Sequence, residues 1–177
     1  MCNRIHRTHR SSQINQKLKY FPMLATALLM GSLPAFAQTP DIVGTWVLTA
    51  ADKILPDGKR VMDYGAHPHG LVVFTADGYY SLQIYRDERM KFASGDRLKG
   101  TPEEYKDASL SMSTSFGHYR IDPVKRTITF KRDRSSFPNL DDGTGVDPYE
   151  LKGDMLSWRV AARPDGSVPV TVLQRVK

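Results

Sequence analysis

Short segments that alternate apolar and polar residues, separated by tight turns, limit what this chain can fold into. Residues 70–75 and 79–86 flank Ala76-Asp77-Gly78, a combination that predicts a β-hairpin. Similar segments recur to the end of the chain, with turn residues between them. The predicted strands are 43–50, 70–75, 79–86, 115–122, 127–132, 147–152, 155–161 and 168–176. The pattern therefore predicts an antiparallel, mostly β structure.

A single helix interrupts this pattern. Thr101 is a suitable N-cap, Pro102 suits the first helical position, and Glu104 stands where a capping-box acid belongs, so a short helix is expected to run to about Ser111. Consecutive hairpins favour a barrel over a sandwich, because closure removes the unpaired edges of a sheet. The expected fold is all-β: one antiparallel up-and-down β-barrel of about eight strands with one short helix.

The first 37 residues have the features of a signal peptide. Five basic residues and no acidic one precede an apolar run at 20–33, which is too short to span a bilayer as a permanent helix. Small residues at Ala35 and Ala37 predict cleavage after Ala37. The alternative is a retained anchor helix. We expect a periplasmic or secreted protein, without stable membrane insertion after cleavage, that consists of one domain, 38–177.

Removal of residues 1–37 changes the charge of the chain. The segment holds five of the 25 basic residues and none of the 19 acidic ones, so the net charge falls from +6 to +1. The basicity of the full chain is therefore no argument for a nucleic-acid partner. Cys2, the one cysteine, lies in the same segment, so no disulfide is expected in the domain.

Several motifs, in their order and spacing, resemble the bacterial and fungal lipocalin-like domain family. They are Gly44-Thr45-Trp46, Leu55-Pro56-Asp57-Gly58, His67-Pro68-His69-Gly70, Phe74-Thr75-Ala76-Asp77-Gly78-Tyr79, Gly100-Thr101-Pro102-Glu103-Glu104-Tyr105, Gly117-His118-Tyr119, Ser136-Phe137-Pro138-Asn139 and Leu151-Lys152-Gly153-Asp154-Met155-Leu156. The resemblance covers nearly all of 38–177 and implies a small barrel with an internal cavity. It also implies that Trp46 closes one end and stacks on Arg175. The histidine pair usual before the Ser136 motif is absent here.

Polar residues embedded in apolar strand faces indicate where a ligand would bind, because a barrel interior must satisfy the polar groups it encloses. An arginine at the mouth of an apolar chamber suits the carboxylate of a small hydrophobic or amphipathic anionic molecule. The alternative for each arginine is that it reaches solvent or pairs with a nearby acid. The predicted ligand-binding residues are Tyr80, Ile84, Arg86, Phe116, His118, Arg120, Phe130, Arg132 and Trp158.

An enzymatic function is the second hypothesis. An isomerase or cyclase could fold a hydrophobic substrate between aromatic walls and use His118 or Tyr119 for proton transfer, without a cofactor. His67, His69 and His118 have a spacing that could suit zinc, but a proline separates the first two and no carboxylate lies beside them. A loop-structuring role is favoured, and no metal site is predicted. The sequence does not determine the oligomeric state.

Overall fold

The computed structural model describes residues 42–177, so the predicted signal peptide, 1–37, lies outside the described residues. The described part contains nine strands, one α-helix and one 3₁₀ turn. The strands are β1 (Gly44–Ile54), β2 (Arg60–Met62), β3 (His69–Phe74), β4 (Tyr79–Tyr85), β5 (Met112–Asp122), β6 (Thr127–Ser135), β7 (Thr144–Lys152), β8 (Met155–Arg159) and β9 (Val168–Arg175); the helix is α1 (Pro102–Leu110) and the 3₁₀ turn is Pro138–Leu140.

Antiparallel pairing of chain neighbours from β3 to β9, closed by β1, forms the barrel. β1 pairs with β3 on one side and with β9 on the other, so the sheet has no free edge along these eight strands. A bulge between Leu48 and Ala50 lets β1 bend from one neighbour to the other. β2, which the sequence did not predict, pairs only with the last residues of β1. The expected eight-stranded barrel with one short helix is confirmed.

One end of the barrel is closed by Trp46. Its side chain is fully buried, and its indole Nε1 donates a hydrogen bond of 2.8 Å to the carbonyl of Ile42. The Arg175 guanidinium lies 4.2 Å from the centre of the indole ring and donates a 2.7 Å hydrogen bond to the carbonyl of Val43. This cation–π pair confirms the stacking of Arg175 on Trp46 that the family resemblance implied. Trp46 belongs to one core cluster with the fully buried apolar side chains of Val72, Phe74, Ile128, Leu156 and Leu173.

Helix α1 begins with the predicted capping box. The Thr101 hydroxyl accepts from the Glu104 amide at 3.2 Å, and the Glu104 carboxylate accepts from the Thr101 amide at 2.7 Å. The same carboxylate accepts from the amide of Ala93 at 2.7 Å, which holds the preceding loop against the helix. Within residues 42–177, no helix is both long and apolar enough to cross a membrane.

Replacing Trp46 by Ala should lower the free energy of unfolding by about 4 kcal/mol, because it empties a large fully buried site. Val47→Ala is the matched control, since the neighbouring Val47 points outward and is 47% exposed; it should change stability by less than about 0.5 kcal/mol. Urea unfolding followed by circular dichroism measures both. Equal losses in the two variants would contradict the assignment of Trp46 to the core.

Candidate ligand-binding site

Four aromatic side chains line the interior of the barrel and form what we call the aromatic wall: Phe74, Tyr80, Phe130 and Trp158. The ring centres of Tyr80 and Phe130 lie 4.8 Å apart in an edge-to-face arrangement. Those of Phe130 and Trp158 lie 5.6 Å apart. The strand period places one wall residue on each of β3, β4, β6 and β8, so four strands present aromatic carbon to one interior.

Arg132 lies inside the barrel beside this wall. It stands opposite Gly117 of β5, and a methyl group added at Gly145 of β7 would lie 3.0 Å from its Nη2 atom. Gly145 thus leaves room for the guanidinium, whereas Gly117 lets the backbones of β5 and β6 approach closely. Among the described residues, its side chain has no hydrogen-bond or ion-pair partner. The guanidinium is therefore a half-buried cation whose donors are available to a guest molecule.

Asp147 is the acidic residue of this interior. It lies opposite Ile128 on the inner face of β7 and is 3% exposed. Burial raises the pKa of Asp147 to about 6, and the positive charge of Arg132 opposes that rise without reversing it. No hydrogen bond contributes to the pKa of Asp147. A carboxyl group with this pKa changes its charge close to neutral pH.

Tyr80 and Ser115 complete the polar part of the interior. The Tyr80 hydroxyl donates a 3.3 Å hydrogen bond to the Ser115 hydroxyl, and burial raises the pKa of Tyr80 above its ordinary value. The charges of Arg132 and Asp147 both act on this tyrosine. We call Tyr80, Ser115, Arg132 and Asp147 the lumenal polar cluster. Ser115 and Arg132 are only partly buried, whereas the side chains at the Trp46 end are fully buried.

Three residues predicted to face the interior lie on the outer surface of the barrel instead. Phe116 is 51% exposed, and His118 and Arg120 are also exposed on the same face of β5. The opposite face of β5 carries Ser113, Ser115, Gly117, Tyr119 and Ile121, which alternate inward. The orientation predicted for β5 was therefore wrong. The packing of Tyr119 and Ile121 against the core places Phe116 outside.

Five other predicted residues do lie inside or at the edge of the interior. Tyr80, Ile84, Phe130 and Trp158 are buried in the core, and Arg132 belongs to the lumenal polar cluster. Whether they contact a ligand stays a prediction.

Arg86 lies just beyond the end of β4, at the end of the barrel opposite Trp46. Its guanidinium pairs with Asp107 of α1 at 3.1 Å and donates to the carbonyl of Leu110 at 3.4 Å. These contacts tie α1 to the barrel, so this arginine has structural partners that Arg132 lacks.

Lys53 and Arg163 pair with Asp63 at 3.0 and 2.7 Å at the same end. These pairs connect the β1–β2 hairpin to the loop between β8 and β9.

The two side chains proposed for proton transfer lie on opposite faces of β5. The Tyr119 hydroxyl lies inside and donates a 2.9 Å hydrogen bond to the carbonyl of Thr75. His118 lies outside, where its ring centre is 4.2 Å from that of Tyr79 and its Nδ1 is 3.9 Å from Asp133. Of the two groups, Tyr119 faces the interior of the barrel and His118 does not.

Histidines in the described part of the chain do not gather around a common centre. The backbone amide of His67 donates to the Asp87 carboxylate at 3.1 Å, and His69 pairs with Tyr85 across β3 and β4. In residues 42–177 no group of three or more His, Cys, Asp or Glu side chains is placed to hold a metal ion.

A groove of about 430 Å³ lies on the outside of the barrel across β4, β5 and β6. It is lined by Gln83, Thr114, Phe116 and Arg134, and also by Leu82 and Ser115. The Arg134 guanidinium is already paired with Asp142 at 3.1 Å. Phe116 is therefore part of this shallow outer surface and not of the barrel interior.

Asp147 and Ser115 were not predicted from the sequence. A signal for Asp147 existed: in β7 it is in phase with Tyr149 and Leu151, while Pro148 and Glu150 occupy the alternate positions. Ser115 had no such signal, because β5 carries aromatic residues on both of its faces. Only the pairing of β5 with β4 shows that Ser115 lies inside.

A solved lipocalin-like protein from Bacteroides uniformis is similar at 13% identity and a TM-score of 0.40, over 76% of this chain and 97% of that one. No curated protein matches the chain significantly. The model of the family described as a lipocalin-like domain matches residues 43–173, which is most of the sequence. The chain therefore belongs to the lipocalin-like domain family.

Proposed function

We propose that this protein is exported and binds a small apolar or weakly acidic molecule inside its barrel. The observation that carries the proposal is the position of Arg132. Its guanidinium lies beside the aromatic wall and has no hydrogen-bond or ion-pair partner among the described residues. The aromatic wall would hold the apolar body of the ligand, and Arg132 would hold its acidic group. Membership of the lipocalin-like domain family supports small-molecule binding in general terms.

The cost of placing charge in this interior supports the proposal. A buried charge without a hydrogen-bonded partner destabilises a fold, and an apolar residue at position 132 or 147 would pack at lower cost. Groups that reduce stability are commonly retained where a function needs them. The isomerase or cyclase hypothesis gains no such support, because His118 lies outside the barrel and the Tyr119 hydroxyl donates a hydrogen bond to the carbonyl of Thr75.

Two fluorescent probes test the site. Phenylnaphthylamine is neutral, whereas anilinonaphthalene sulfonate joins a similar apolar body to an anion. Both should bind the cleaved domain, and Arg132→Gln should weaken sulfonate binding by at least about tenfold while leaving the neutral probe within about twofold, since one charged hydrogen bond is lost. Fluorescence titration at low protein concentration measures both affinities.

Arg120→Gln is the matched control, because it removes the same charge from the outer face of β5. It should leave both affinities unchanged. Failure of both probes to bind the wild-type domain would overturn the proposed function. Equal losses in the two arginine variants would show that the sulfonate binds to the surface.

Asp147→Asn should stabilise the protein near neutral pH. The folded-state pKa of about 6 lies above the ordinary 3.8, so the folded state holds this proton more tightly than the unfolded state does. The stability that this tighter proton binding by Asp147 adds to the folded state is fully present below about pH 4, and it is lost as the pH rises through about 6. The variant should therefore gain stability over the wild type with rising pH, by up to about 3 kcal/mol.

Urea unfolding of both proteins between about pH 4 and about pH 8 gives this difference. Asp133→Asn is the control, since the Asp133 side chain is 41% exposed outside the barrel. A difference between Asp147→Asn and wild type that does not vary with pH would contradict the raised pKa.

Export can be tested on the full chain. If residues 1–37 are a signal peptide, the protein recovered outside the cytoplasm should begin at Gln38, as read by intact mass spectrometry. Ala37→Asp should block cleavage, because the peptidase requires a small residue there. Asp41→Ala, beyond the cleavage site, should be processed normally. Recovery of the unprocessed wild-type chain as the only form would contradict the proposal.

A further inference from the structure

Arg132 and Asp147 are neighbours inside the barrel. They lie on adjacent strands, and the guanidinium reaches over Gly145, two residues before Asp147 on the same inner face of β7. Their interaction is electrostatic, without a hydrogen bond between the two side chains. An acidic ligand that approached Arg132 would therefore place its negative charge near the Asp147 carboxyl group.

The charge of Asp147 decides whether such a ligand is accepted. An ionised carboxylate would repel the ligand anion in an interior of low polarity, and it would compete for the positive charge of Arg132. A protonated carboxyl group does neither. It can also donate a hydrogen bond to an oxygen of the ligand. The same side chain thus either excludes an anion or completes its binding site.

We propose that Asp147 determines the specificity of the barrel by taking up a proton when an acidic ligand binds, so that Arg132 and the neutral Asp147 carboxyl group hold the ligand anion between them. This inference rests on the proposed function, because it assigns a ligand class to the same interior. The ligand it favours is an amphipathic molecule with one acidic group. Neutral apolar ligands would bind without proton uptake.

The pKa of Asp147 supports this inference in addition to the geometry. Burial already brings it to about 6 without a ligand, so the proton is available at low cost near neutral pH. A nearby anion would raise it further, since it adds a like charge. The protein would then bind acidic ligands more tightly as the pH falls, as long as the ligand itself stays ionised.

Few other groups facing Asp147 can titrate in this range. Arg132 faces it from β6 and the Tyr80 hydroxyl from β4, and burial moves the pKa of that tyrosine upward, away from neutral pH. On β8 the inward residue Trp158 lies opposite Tyr149, two residues from Asp147, and it carries no titrating group. His118 and Asp133, whose Nδ1 and carboxylate lie 3.9 Å apart, are outside the barrel.

The test measures affinity and proton uptake for the two probes. Anilinonaphthalene sulfonate stays ionised between about pH 5 and about pH 8, so its own titration does not contribute. Its affinity for the wild-type domain should rise by up to about tenfold for each pH unit of decrease above about pH 6. Calorimetry at about pH 7 in two buffers of different ionisation enthalpy should show uptake of close to one proton. Phenylnaphthylamine should show neither effect.

Asp147→Asn should remove the pH dependence, and at about pH 8 it should bind the sulfonate as tightly as the wild type does at about pH 5. Asp133→Asn and His118→Asn should keep the wild-type dependence, because both groups lie outside the barrel. The proton count uses only the wild-type domain, so it remains decisive if Asp147→Asn fails to fold.

The outcomes separate this inference from the proposed function. If phenylnaphthylamine binds but sulfonate binding is independent of pH, or takes up no proton, the role of Asp147 is overturned and ligand binding stands. The same holds if the sulfonate fails to bind at any pH, or if Asp147→Asn keeps the wild-type pH dependence. If neither probe binds, the proposed function and this inference fail together.

Discussion

Closure of the sheet by hydrogen bonds between β1 and β9 is the constraint on which the rest of the structure depends. Once each barrel strand has two neighbours, every second residue must point into one shared interior. Apolar residues at those positions gain stability by burial. Polar residues at the same positions have no route to an outer face, so they must be satisfied inside or be reached by solvent or a ligand.

The interior contains two groups of side chains of different character. Trp46, Leu156 and Leu173 are fully buried, and the Arg175 guanidinium stacks on the Trp46 ring. The lumenal polar cluster lies beside the aromatic wall, where Arg132 is only partly buried. Stability thus comes from the fully buried apolar side chains, while the lumenal polar cluster contains groups that weaken the fold.

Local chemistry explains why much of the fold was predictable. The Asp77-Gly78 turn, the Thr101 capping box and the strand period each depend on residues only a few positions apart. Predictions that needed a decision between two similar faces were less successful. In β5, Phe116 supports one inward face and Tyr119 with Ile121 supports the other, and the sequence pattern was assigned to the wrong one.

By itself, the sequence determined that this chain forms antiparallel hairpins and where its helix begins, and its family resemblance implied that Arg175 stacks on Trp46. Only the tertiary structure decided which side chains meet inside. Arg132 and Asp147 become neighbours because β6 and β7 pair in one particular register. That register is set by the packing of all strands around a shared core, and a period of two residues along one strand does not contain it.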